Sequence, residues 1–458
     1  MKTVAFHNLG CKVNTYEMDV MQQKFEERGY KIVPFSTKAD IYVVNTCTVT
    51  NIADRKSRQM LHKAKKENPD SVVVATGCYV QTDAQNAEKD EAIDIIIGNN
   101  NKTKVVDIVE EHIAANKEKT AILSDIDKNP EYEACSLRYS TERTRVDIKI
   151  QDGCNQFCSY CLIPMARGRV RSRKKEDIFE EINNLANQGY KEVVITGIHL
   201  SSYGLDFYPD EKGKVTSYNS AAGSGEYTNK DLLEVIDRVS EIEGIKRIRL
   251  GSLEPRIITR EFLERISKNG KICPHFHLSL QSGCDETLKR MNRQYTTEEF
   301  YEKTCLIREY FDKPAITTDI ITGFPGENPE EFEETYDFVK KICFYETHIF
   351  KYSRRKGTTA DKMPGQNTDA VKSARSDRLI ELSKNNSYNF RKEKIGKVLE
   401  ILTEEEKEID GISYLLGHTK DYCPAIIEKA GHEVNTLLSG QAVKIRDDGL
   451  LLLSESSK

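Results

Sequence analysis

The sequence predicts an α/β protein in three parts: an amino-terminal doubly wound parallel sheet, a central partial barrel of six β/α units, and a small carboxy-terminal β-barrel. Three observations carry that prediction. Continuous β-branched runs alternate with helical patterns over residues 1–130, the mark of a parallel sheet covered on both faces. Strand then helix repeats six times within residues 131–365, which implies right-handed crossovers and a sheet that curls without closing into the eight-unit form. After a helix over residues 366–395, five short strand patterns separated by turns fill residues 396–458, as expected for a small barrel.

Bulk properties narrow the class. At 458 residues the chain has ample length for several buried cores. It carries 68 basic and 73 acidic residues, a net charge of −5, so only local charge can speak for or against nucleic acid. No apolar run approaches the roughly 18–20 residues of a membrane span. The start, Met1 to His7, runs directly into a strand pattern without signal-peptide logic. A cytoplasmic location is expected, and there thiols stay reduced. Twelve cysteines then point to metal or redox chemistry more than to disulfides.

In the first part, Val4–Phe6, Ile41–Val44, Val72–Ala75 and Ile93–Ile97 read as strands. Helices follow through Met18, Met21 and Phe25, over Ala53–Lys66, and over Val105–Ala115. Lys117–Asn129 is polar and reads as a linker. Cys11, Cys47 and Cys78 each stand just past the carboxyl end of a strand, 36 and 31 residues apart. In a parallel open sheet those ends share one edge, where ligands bind. Three cysteines distant in sequence are therefore expected to converge as a metal site.

A second triad is local. Asp152-Gly153-Cys154-Asn155-Gln156-Phe157-Cys158-Ser159-Tyr160-Cys161 spaces its cysteines Cys-x3-Cys-x2-Cys, directly after the first barrel strand, Arg145–Gln151. Three thiolates so close can hold one face of an iron–sulfur cube and leave one iron open. Zinc is the alternative, but structural zinc sites favour paired elements and a closed set of four ligands.

The remaining barrel strands are predicted at Glu192–Thr196, Arg247–Leu250, His275–Leu280, Ala315–Ile321 and Thr347–Tyr352. Their exits carry small and polar residues: Thr196-Gly197-Ile198-His199, Ser252-Leu253-Glu254-Pro255, Gln281-Ser282-Gly283 and Gly323–Glu327. Small residues let backbone approach a ligand, and polar ones hold its ribose or carboxylate. Leu205–Tyr227 reads as a loop insertion. Cys135, Cys273, Cys284, Cys305, Cys343 and Cys423 match no ligand spacing and are read as packing. Arg167 to Lys175 holds six positive charges in nine residues. Such a run usually marks a solvated face, and beside a catalytic loop it is expected to meet a phosphate backbone. The last module carries 6 basic and 12 acidic residues between Gly396 and Glu455, a poor electrostatic partner for phosphates.

These motifs resemble a family. Cys154, Cys158 and Cys161, with Tyr160 before the last, are similar to the signature of radical S-adenosylmethionine enzymes. Asn8-Leu9-Gly10-Cys11-Lys12-Val13-Asn14, Asn45-Thr46-Cys47 and Gly77-Cys78 resemble the amino-terminal domain of its methylthiotransferases, and Gly417–Tyr422 fits a loop of the TRAM barrel that ends them. His277–Asp285 and Met291-Asn292-Arg293 bring the chain nearest the subgroup acting on N6-threonylcarbamoyladenosine at position 37 of transfer RNA.

The resemblance implies two [4Fe-4S] clusters, one on each triad. It implies S-adenosylmethionine bound at the open iron of the Cys154–Cys161 cluster, with Tyr160, Gly197, Glu254 and Gln281 as cofactor contacts. It implies a deoxyadenosyl radical that takes hydrogen from C2 of the adenine, sulfur delivered from the Cys11–Cys47–Cys78 cluster, and methyl from a second S-adenosylmethionine. Partners implied are the modified transfer RNA, a flavodoxin- or ferredoxin-like electron donor and a sulfur donor. Alternatives are methylthiolation of isopentenyladenosine or of a ribosomal-protein aspartate, or a cluster-bearing RNA-binding protein without turnover.

Overall fold

The computed structural model describes residues 2–124, 126, 131–139, 144–210, 215, 218, 221 and 227–455. The first part is a six-stranded, all-parallel sheet. Its strands are β1 (Thr3–Asn8), β2 (Lys31–Val33), β3 (Ile41–Thr46), β4 (Val72–Gly77), β5 (Ile95–Ile97) and β6 (Thr120–Ile122), in the order β2-β1-β3-β4-β5-β6. Two apolar clusters, one on each face, pack helices against it. Met18, Met21 and Phe25 of α1 (Lys12–Glu27) join Val105–Val109 in one, and Leu61 and Ala64 of α2 (Asn51–Glu67) lie in the other. The start of α2 is fixed by Thr50, whose Oγ1 accepts from the Ala53 N–H at 3.1 Å. The stretch expected to be a polar linker contributes β6, because even three residues suffice to pair along the edge of an existing sheet.

The second part contains β7 (Arg145–Asp152), β8 (Arg171–Ser172), β9 (Glu192–Gly197), β10 (Arg247–Leu250), β11 (His275–His277), β12 (Ala315–Thr322) and β13 (Glu346–Lys351). β10-β9-β7 and β11-β12-β13 are parallel runs. The bridges Ile248–Ile272 and Leu253–Leu278 join them into one six-unit partial barrel. β8 is a short antiparallel addition to β7. Odd and even positions divide the work on each strand: Phe276, Leu278 and Leu280 enter the outer core, while His277 and Ser279 turn inward and keep some solvent contact. Most of the Leu205–Tyr227 insertion lies outside the described residues.

The first sheet covers the barrel's open side. Tyr16 of α1 reaches across it to Glu181, donating to Oε1 at 2.9 Å. At the other edge, Arg355 beyond β13 donates to Asp54 Oδ2 at 2.6 Å and to Thr48 Oγ1 at 2.7 Å.

The helix Asp369–Lys392 leads to a closed five-stranded barrel of β14 (Val398–Ile409), β15 (Ile412–Thr419), β16 (Pro424–Glu428), β17 (Leu437–Ile445) and β18 (Leu451–Glu455). It sits under the amino-terminal ends of the larger barrel's strands. Arg247 donates to Glu400 Oε1 at 2.9 Å and to the His418 carbonyl at 2.8 Å, and Arg249 donates to the Lys420 carbonyl at 3.1 Å. No helix of the described residues is long and apolar enough to cross a membrane.

Candidate active site

Both cysteine triads lie at the carboxyl ends of strands, on one side of the molecule. Gly10, at φ +118°, brings the Cys11 loop against Cys47; a Cβ there would stand 3.2 Å from the Cys47 Cβ. Burial pushes the Cys47 thiol up to about 11, and the neighbouring sulfurs of Cys78 and Cys11 add to the shift. Cys78 opens the short helix α3 (Cys78–Thr82). The three predicted partners therefore converge from three strand ends.

The local triad depends on Gly153. At φ +69°, its missing Cβ leaves room for the Arg169 carbonyl, which a Cβ would meet at 1.8 Å. Each sulfur faces an N–H donor: Gln156 N–H to Cys154 at 3.5 Å, Arg293 Nη1 to Cys158 at 3.3 Å and Ile163 N–H to Cys161 at 3.4 Å. Burial raises the thiol of Cys154 to about 12 and lifts that of Cys161 as well. The charged form there needs a bound cation to balance it. Three sulfurs, each with a donor aimed at it, fit the ligand set and hydrogen-bonded surroundings of an iron–sulfur cluster.

A pocket opens directly beside this triad. Tyr160, Glu254 and Gln281 line it with the three cysteines. Gly197 stands behind the rim, where a Cβ would strike Gln151 at 2.9 Å; that loop presents Ile198 and His199 instead. Glu254 is buried and accepts from the Arg256 N–H at 2.9 Å. Burial raises its carboxyl, against the pull of Arg293. Burial and the nearby Arg293 drop His199 to about 3, so its imidazole is neutral at pH 7.

The arginine run departs from expectation. Arg167, Arg171 and Arg173 are buried rather than solvated. Arg167 binds Glu17 and Asp152, Arg171 donates to Asn100 Oδ1 at 2.9 Å, and Arg173 pairs with Glu181. Their acidic partners come from distant segments, which is why the sequence shows only a charge run. Lys175 is taken by Asp231 and Glu234, and only Arg169 and Lys174 of the six cations are exposed. The TRAM-like loop likewise does not face outward: Tyr422 stacks on His275 and His418 and lies beneath Arg145 and Arg249.

Sequence reasoning did not find Asn99, and it met Arg293 only within the Met291-Asn292-Arg293 resemblance, not as a donor to Cys158. The Asn99 amide donates to Cys78 Sγ at 3.4 Å and to the Ala166 carbonyl at 2.7 Å, so it ties Cys78 to the short helix Ile163–Arg167 that follows the second triad. No spacing rule marks such a residue.

A parallel sheet with three convergent cysteines beside a partial barrel with three more defines a two-centre radical enzyme. Residues 148–339 match the radical SAM superfamily, and residues 3–98 match the uncharacterized protein family UPF0004. The fold is shared with the radical S-adenosylmethionine methyltransferase TsrM from Kitasatospora setae, solved with cobalamin and a [4Fe-4S] cluster. The TM-score is 0.53 at 17% identity, over 78% of this chain and 74% of that one. The threonylcarbamoyladenosine tRNA methylthiotransferase MtaB of Bacillus subtilis (strain 168) is 39% identical over 98% of both chains. The MtaB of Aquifex aeolicus (strain VF5) is 40% identical over 90% of this chain and 95% of its own. A tRNA-2-methylthio-N(6)-dimethylallyladenosine synthase of Thermoanaerobacter pseudethanolicus (strain ATCC 33223 / 39E) is 35% identical over 88% of this chain and 83% of its own. The chain belongs to the radical S-adenosylmethionine methylthiotransferase family.

Proposed function

We propose that this protein methylthiolates C2 of N6-threonylcarbamoyladenosine 37 in transfer RNA. The observation that carries the reading is Asn99, which ties Cys78 to the segment just after the Cys154–Cys161 loop. Two sulfur-rich centres so joined suit one reaction that needs both. The two MtaB relatives, named for this substrate, support it. Cys154, Cys158 and Cys161 hold one four-iron cluster, and Cys11, Cys47 and Cys78 hold the other. When bound, these groups and S-adenosylmethionine supply radical hydrogen abstraction, sulfur and methyl.

The chain does the rest. Arg293 steadies Cys158 by its N–H···S bond. Glu254 faces the cofactor pocket as an acceptor for amino or hydroxyl groups, and Tyr160, Gln281 and the loop at Gly197 shape its walls. Tyr160 is itself held edge-on by Phe324, with ring centroids 6.3 Å apart. The neutral His199 accepts or donates without adding charge. The same reading divides the chain near residues 130, 365 and 395, places it in the cytoplasm, and calls for a flavodoxin- or ferredoxin-like reductant and a separate sulfur donor.

The test is anaerobic. Reconstituted protein, reductant, S-adenosylmethionine and threonylcarbamoylated transfer RNA are incubated, and digested nucleosides are weighed by mass spectrometry. The 2-methylthio derivative is expected. In parallel, Cys11→Ala forms 5′-deoxyadenosine without that product. Full methylthiolation by Cys11→Ala would remove the second centre from the reaction.

A further inference from the structure

Below the cofactor pocket the barrel interior carries polar side chains that the reaction at C2 does not use. His277, Asp319 and His348, on β11, β12 and β13, bring their polar atoms within 4.8 Å of one another. His277 Nε2 stands 3.2 Å from Asp319 Oδ2, and its Nδ1 stands 3.0 Å from Thr317 Oγ1. The two imidazoles stack at 5.7 Å. Strand alternation fixes where this cluster lies. His277 shares its face with Ser279, two residues on, which stands on the wall of the cofactor pocket. The cluster is therefore one inward-facing position deeper, about 7 Å along the strand.

Two more features belong to this chamber. Phe350 follows His348 on the same face of β13, nearer the rim, and 44% of it is exposed. Lys12, next to Cys11, opens α1 and is exposed. Asp147, Arg249, Arg145 and Glu192 are its charged neighbours, and it lies close enough to His275 to act on it together with His277 and His348. Arg249 is buried and leaves Nη2 without a partner.

We infer that this chamber selects the substrate by its N6 substituent: Phe350 stacks the target adenine, Asp319 and His348 hydrogen-bond a carbamoyl-linked amino acid, and Lys12 meets that group's carboxylate. The inference rests on the function proposed above and adds what is read and by which residues. An exposed aromatic at a rim is what a base drawn out of its stack requires. A carbamoyl amino acid offers N–H and hydroxyl donors to Asp319 and acceptors to the histidine N–H groups and the ammonium. Thr317 and Asp319 hold the His277 ring, and His277 in turn orients Asp319. An apolar dimethylallyl group in the same place would bury these polar groups unpaired, which sites built to hydrogen-bond their ligand reject strongly.

The experiment reads binding, so that it stands apart from turnover. Reconstituted full-length protein is titrated anaerobically with three transfer RNAs of one sequence, bearing threonylcarbamoyl, dimethylallyl or no group at adenosine 37. Wild type is expected to bind the first at least about tenfold tighter than the other two. His348→Leu and Lys12→Met should each erase most of that preference. His348→Leu should leave the affinity for the unmodified RNA and the visible absorbance of the clusters as in wild type. His348 is exposed on an edge strand, so its replacement leaves the core intact. Equal affinity of wild type for the three RNAs, or an undiminished preference in both variants, overturns the inference. Failure of wild type to methylthiolate an RNA that it selects overturns the proposed function and leaves this reading standing.

Discussion

Arg167 grips Glu17 with both arms of its guanidinium, Nη1 to Oε1 at 2.8 Å and Nη2 to Oε2 at 3.0 Å. The pair is buried, and it joins α1 to the short helix Ile163–Arg167 that follows the Cys154–Cys161 loop. Asp152 accepts from the same Nη1 at 3.0 Å, and Lys149 and Lys102 complete the charge balance on Glu17. Removing one member strands the others. Arg167→Ala should destabilise the chain by about 3–5 kcal/mol, as breaking a buried pair does. Arg167→Lys should recover little, since an ammonium cannot bridge both oxygens. Urea unfolding of the metal-free chain measures both, and equal midpoints for wild type and Arg167→Ala would sink the expectation.

The same network sets an acid limit. Burial alone would raise the carboxyls of Glu17 and Asp152, but Arg167 and the lysines outweigh it and hold both far below the usual range. A depressed folded-state pKa gives stability that is fully present above the unfolded value, about 4, and is lost as pH falls toward the folded value. The unfolding midpoint should therefore be insensitive to these groups above about pH 5 and fall steeply below pH 4. Glu17→Gln should flatten the acid limb; an unchanged slope in that variant would count against the assignment.

Asn99 offers a sharper test of the second centre. Its amide holds Cys78 Sγ without itself being a candidate ligand. Outer partners of this kind typically contribute about 10–100-fold in metal affinity or activity. Asn99→Ala should lower iron retention at Cys11, Cys47 and Cys78 by about that factor under chelator challenge. The Cys154–Cys161 centre should hold its iron in the same sample, as its electron paramagnetic resonance signal would report.

Tyr422 fastens the carboxy-terminal barrel. Its ring lies 4.9 Å from the Arg145 guanidinium and 4.6 Å from that of Arg249, each a contact of about 0.5–2 kcal/mol. Tyr422→Ala should loosen residues 396–455 from the rest, seen as faster proteolysis after the helix Asp369–Lys392. Cluster absorbance should stay constant. Protection equal to wild type would place the attachment elsewhere, on Arg247 and Glu400.

How much of this was legible in the sequence depended on range. The strands at Ile41–Thr46 and Val72–Gly77 announce themselves, because a strand buried on both faces must be apolar throughout. The convergence of Cys11, Cys47 and Cys78 followed from topology alone. Three-residue strands such as Lys31–Val33 and Thr120–Ile122 carry too short a pattern and exist because a neighbouring strand recruits them. The arginine run misled for a related reason. Arg167 and Glu17 are 150 residues apart, and a sequence lists charges without their pairings. Asn99 and the sulfur-directed role of Arg293 were invisible on the same ground, since a donor to a sulfur is defined by where it points.

Tyr422 ties the small barrel to the amino-terminal ends of the larger barrel's strands, while the cofactor pocket lies at their carboxyl ends. The two barrels therefore stand back to back: one turns its mouth outward, and the other serves as its footing.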